Sequence, residues 1–192
     1  MTDILQLRYV DMAKNLLFAT VLTIAFTLFQ TGSVSADYAD TGPFDDWKKP
    51  TKTCPKGTVW SSKLKKCVSK DSSLLDENDR YRYAVWLGKK GQHAVSIEIL
   101  KTMADQRDPK VLTYLGYNNR KMGDFKKGVK LYKKALAIDP NYVLAREYLG
   151  EGYVKVGKLD LAREQLAEIE KRCGTTCEAY LVLAMEIVEA NK

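Results

Sequence analysis

The sequence has 192 residues, 45% hydrophobic and 29% charged, with a net charge of +7, which fits a globular chain and excludes both a wholly disordered one and a large multi-domain enzyme. The charge is local: residues 37–47 hold four Asp and no base, residues 48–70 hold eight Lys and no acid, and residues 71–192 contribute only about +3. Lys and Arg are not massed on the part expected to carry the fold, so no nucleic-acid partner is expected.

Leu16 to Phe29 form an apolar run of fourteen residues, followed by Val34-Ser35-Ala36. The run is shorter than the roughly 20 residues that cross a bilayer, and Val34 and Ala36 are the small residues a signal peptidase accepts. Residues 1–36 are therefore expected to be a signal peptide cleaved after Ala36, with no transmembrane segment afterwards; an uncleaved anchor is the alternative. Met12-Ala13-Lys14-Asn15 makes a compact basic lead to the apolar run, so Met12 is a candidate true start. The mature protein would be periplasmic or secreted.

Residues 37–53 contain Gly and Pro breaks and no helical period, and read as a flexible acidic-to-basic lead. Residues 54–70 then carry Cys54 and Cys67 among closely set lysines. Four cysteines allow three pairings; in an oxidising compartment the local pairs Cys54–Cys67 and Cys173–Cys177 demand the least geometry. Pro55-Lys56-Gly57 would make a turn, with Val59, Trp60 and Val68 as a small apolar patch inside the loop. Such a segment is either a solvated disulfide-stapled knob or a basic finger for an anionic envelope surface, lipid or cell-wall polymer.

From residue 77 the chain repeats itself. Leu112-x-x-Leu115-Gly116 is followed by Gly128, Tyr132, Ala135 and Asp139-Pro140; thirty-four residues after Gly116 the pattern returns at Gly150, with Tyr153, Ala162 and Leu166. A weaker copy, of 32 residues, precedes both and carries Tyr83, Ala84, Leu87, Ser96 and Leu100. Small residues facing each other (Ala84 and Ser96, Gly116 and Gly128, Gly150 and Ala162) would let paired helices approach closely. Gly123 and Gly157 suit the left-handed end of a first helix, and Asp139-Pro140 stops a second.

This pattern resembles the tetratricopeptide-repeat family, in its exported bacterial type, over residues 77–172. The resemblance implies an all-α, short right-handed solenoid of three hairpins at 77–108, 109–142 and 143–172. Helices are expected at 77–90, 93–105, 109–121, 125–137, 143–155 and 159–171. Residues 173–192, with a helix near 177–190, would cap the open edge. Cys173–Cys177 would staple the cap's entry turn; a redox pair would more often have two intervening residues, and a zinc site from all four cysteines would compete with disulfide formation.

In the family the first helices line a groove for a peptide or partner protein. The matching positions are Tyr81, Val85 and Lys89 in the first repeat, Thr113, Tyr117, Arg120 and Lys121 in the second, and Leu144, Glu147, Glu151, Val154 and Lys155 in the third. Tyr81, Tyr117 and Arg120 are of the types that dominate interface energetics. The sole histidine, His93, reads as a solvated helix-start residue. No paired-carboxylate, metal-ligand or nucleophile–base spacing is present, so no catalytic residue, cofactor or metal site is expected. A protein-interaction scaffold is the expected function, with the Lys-rich segment as an envelope-surface binder the alternative.

Overall fold

The computed structural model describes residues 50–192. The expected signal peptide and residues 37–49 of the lead lie outside the described residues. Two strands, β1 (Thr58–Ser61) and β2 (Lys66–Ser69), precede seven helices: α1 (Glu77–Lys89), α2 (His93–Leu100), α3 (Pro109–Lys121), α4 (Phe125–Ile138), α5 (Val143–Lys155), α6 (Leu159–Cys173) and α7 (Glu178–Glu189). The helices form three hairpins and a final single helix.

Residues 54–70 depart from the expected loop. Thr58, Val59, Trp60 and Val68 are β-branched or aromatic, and they build an antiparallel hairpin in the register Val59↔Val68 and Trp60↔Cys67. Alternation along β1 buries Val59 and Ser61. Val59 is fully buried and belongs to the main core. The Cys54–Cys67 disulfide closes the segment.

The hairpin is not a free knob. Cys54 N donates to Tyr83 Oη at 2.8 Å, and Asp79 Oδ2 accepts from both Ser62 N and Ser62 Oγ at 2.7 and 2.9 Å. Buried Arg80 donates to the carbonyls of Lys70 and Ser72 at 3.0 and 2.9 Å. The hairpin thus covers the first edge of the helical array, as α7 covers the last.

Side chains set the helix ends. Asp76, Asp108 and Asp124 cap α1, α3 and α4 by accepting from backbone N–H groups of the first turn, and Pro109 stands where the missing N–H costs nothing. Gly123 and Gly157 take φ of +93° and +71° beyond α3 and α5. The second helix of the first hairpin is shorter than expected. It stops at Leu100 because the next residues turn, Thr102 Oγ1 donating to Ile99 O at 2.7 Å and to Lys70 O at 3.2 Å.

Close packing follows the small residues. A Cβ on Gly116 would meet the Tyr132 ring at 2.6 Å and the Gly128 carbonyl at 3.2 Å, so α3 and α4 need both glycines. A Cβ on Gly150 would instead meet Leu183 Cδ2 at 2.4 Å. That glycine admits the capping helix. A second disulfide, Cys173–Cys177, closes the corner between α6 and α7.

The first helices α1, α3, α5 and α7 each pack on the next, while α2, α4 and α6 pack only on first helices. Unequal approach on the two sides bends the stack, with the first helices on the inner side. Among the described residues no helix is long and apolar enough to cross a membrane, and no cluster of His, Cys, Asp or Glu could hold a metal ion.

Candidate functional site

The repeat places equivalent residues of α1, α3 and α5 side by side. Three residues before the small residues Ala84, Gly116 and Gly150 stand Tyr81, Thr113 and Glu147; one residue after stand Val85, Tyr117 and Glu151; five after stand Lys89, Lys121 and Lys155. Val85 and Thr113 are fully buried, and Tyr81, Tyr117, Arg120, Leu144, Glu147 and Glu151 are each less than a tenth exposed. Val154 is half-buried, while Lys89, Lys121 and Lys155 are exposed. The inner face therefore has a buried aromatic and acidic floor and a basic rim.

Tyrosines form the floor. Tyr81 and Tyr114 meet edge to face at 5.8 Å, Tyr114 and Tyr148 at 6.1 Å, and Tyr117 lies 5.1 Å from Tyr148 at an interplanar angle of 38°. These offset and edge-on arrangements are the favourable ones for aromatic pairs. Sequence reasoning passed over Tyr114 and Tyr148. Their spacing of thirty-four residues was the available signal.

Cations from neighbouring helices lie over this floor. The Lys89 ammonium is 5.1 Å from the Tyr117 ring and 5.2 Å from that of Tyr148; the Arg120 guanidinium is 5.9 and 6.0 Å from the same rings. Desolvation lowers the Lys89 pKa, opposed by the nearby carboxylates Glu151 and Glu147. Arg120 is committed: it donates to Tyr132 Oη at 3.2 Å and to Glu151 Oε2 at 2.5 Å.

Glu147 has no such partner, and burial, reinforced by Glu151 one turn along α5, pushes its carboxyl up to about 8. It is a proton-binding group near neutral pH on the inner face. Thr113 Oγ1, also on this floor, is buried without a hydrogen-bond partner among the described residues. Beyond α5 an open depression of about 380 Å³ is lined by Val154, Lys155, Glu186, Glu189 and Ala190.

His93 starts α2, as the sequence suggested, but is half-buried and held by neighbours. Its Nδ1 lies 3.0 Å from Asn118 Oδ1 and its ring stands edge to face with Tyr117 at 5.9 Å. Asn118 is fully buried and donates through Nδ2 to Ser96 Oγ and to Tyr114 O at 2.9 and 2.7 Å. Ser96 in turn donates to Ala84 O at 2.6 Å. The three polar side chains satisfy one another across the first and second hairpins, which accounts for serine at a position where apolar residues are usual. Nothing in this network resembles a nucleophile with its base.

Serial helical hairpins with tightly packed small residues and a lined inner face define a helical-repeat protein. Residues 109–142 match the tetratricopeptide repeat family. A comparison with curated proteins finds no match. Among solved structures, the type III secretion chaperone SycD of Yersinia enterocolitica, in complex with a peptide of the translocator YopD, superposes with a TM-score of 0.50 at 14% identity, over 62% of this chain and 93% of that one. The likeness shows a shared fold. MamA, at 19% identity over 60% of this chain and 74% of its own, and the second TPR domain of human RPAP3, bound to an HSP70 peptide, at 19% over 60% and 92%, each give a TM-score of 0.49.

Proposed function

We propose that this protein is an exported interaction scaffold that holds a peptide or partner segment on the inner face of α1, α3 and α5. The carrying observation is the Tyr117–Tyr148 pair, over which Lys89 of α1 and Arg120 of α3 both lie. Aromatic rings with charged groups gathered over them are the usual anchors of an interface. The SycD structure contains a bound peptide, which supports the same use here.

Export rests on the amino-terminal sequence pattern. The two disulfides are in keeping with an oxidising compartment, and the described cysteines are all paired. In the alternative reading, exposed Lys63, Lys65 and Lys66 at the hairpin tip touch an anionic envelope surface.

Capture of crosslinked partners from cells separates the two. The groove reading expects a discrete protein with the parent chain and with a Lys63→Glu/Lys65→Glu/Lys66→Glu variant, and none with Val154→Asp, with the thermal melts of both variants near the parent's. Loss of capture in the hairpin variant alone would overturn it.

A further inference from the structure

Each inner helix ends on one pattern: Lys89-Lys90-Gly91, Lys121-Met122-Gly123 and Lys155-Val156-Gly157. In all three the lysine is the last helical residue, and the glycine two places on takes a positive φ of +80°, +93° or +71°. The repeat therefore sets three ammoniums in one row along the rim of the inner face. All three are exposed, and among the described residues none forms an ion pair.

A cation in a last turn also complements the helix dipole. That interaction asks only that the charge stay near its own helix terminus. Lys89 reaches further, placing its ammonium over the rings of Tyr117 on α3 and Tyr148 on α5, and Lys121 comes within 5.6 Å of the Tyr117 ring as well. The row leans across the face. No carboxylate beneath forms an ion pair with it: Glu151 is held by Arg120, and Glu147, though within electrostatic reach of Lys89, is buried without an ion pair.

Exposed cations without ion pairs, recurring along one face, suit a chain whose carboxylates project to one side, as those of an extended peptide can. A flat lipid surface cannot follow a concave face. A uniformly anionic polymer would also meet Glu178 and Glu186, which lie within electrostatic reach of Lys89 and Lys155.

We propose that the Lys89–Lys121–Lys155 row binds an acidic segment of a partner protein, laid in extended form across the ends of α1, α3 and α5. The assignment rests on the groove reading and adds the chemistry of the occupant.

Fluorescence anisotropy on the full chain tests it, with a labelled peptide of alternating Glu and Ser and a control peptide carrying Gln for Glu. The Glu peptide should bind at least tenfold more tightly than the control. Lys89→Gln/Lys121→Gln/Lys155→Gln should weaken it at least tenfold, and Lys63→Gln/Lys65→Gln/Lys66→Gln less than twofold, with thermal melts of both variants near the parent. Equal binding of the two peptides overturns the proposal, as does indifference to the inner triple substitution. Phosphatidylglycerol vesicles bound through the inner row, with the peptide ignored, overturn it too. If the partner captured from cells is lost on Val154→Asp yet retained on the inner triple substitution, the acidic segment is wrong and the groove stands.

Discussion

Arg120 on α3 donates from Nη2 to Glu151 Oε2 on α5 at 2.5 Å, tying the second hairpin to the third beneath the tyrosine floor. Both side chains are nearly buried, at 5% and 11% exposure. The pair holds one charged group against another where neither could be left alone.

Removing one partner should therefore cost more than the pair contributes. Glu151→Ala leaves the guanidinium buried with only Tyr132 as acceptor, and a loss of about 3–5 kcal/mol is expected. Arg120→Met/Glu151→Leu should recover most of it, because no charge is stranded. Urea unfolding of the two variants and the parent checks this.

Glu147 makes stability depend on pH. Its folded-state pKa of about 8 lies above the ordinary carboxyl value near 4.3, so between those values the folded state binds more protons than the unfolded one. Stability should fall as pH rises through this window and level off above it. Glu147→Gln should be more stable than the parent at pH 9, by at least ~1 kcal/mol, and nearly equal to it at pH 4. Urea midpoints at the two pH values measure the difference.

Much of this was legible in the sequence. The bounds of α3 and α5 follow from Pro109, Gly123 and Gly157, residues whose backbone chemistry starts or ends a helix wherever they stand. The hairpin was hidden because lysines at every few positions masked a four-residue alternation, and only the burial of Val59 against α1 reveals it. The Arg120–Glu151 pair spans thirty-one residues and has no period or spacing that sequence alone could flag. His93 misled for a related reason: its partner Asn118 is brought to it by the stacking of hairpins.

Gly150→Ala tests how the capping helix is seated. Alanine gains about 1 kcal/mol in helix propensity, but its Cβ would lie 2.4 Å from Leu183 Cδ2. Overpacking of this kind typically costs about 1–3 kcal/mol, so net destabilisation is expected. Hydrogen exchange in α7 should be faster in this variant than in the parent.

The hairpin should act as an edge cap. Cys54→Ala/Cys67→Ala opens a loop whose closure is worth on the order of 3 kcal/mol, and Val59→Ala empties a fully buried site. Each should speed hydrogen exchange in α1 more than in α5. Equal acceleration along the array would instead mean that the solenoid unfolds as one unit.

The central claim is that the inner face meets the partner. A photo-crosslinking residue placed at exposed Lys121, on inner helix α3, or at exposed Lys133, on outer helix α4, tests this in cells. The account predicts a discrete protein adduct from position 121 and none from position 133. An adduct from 133 alone, or equally from both, would contradict it.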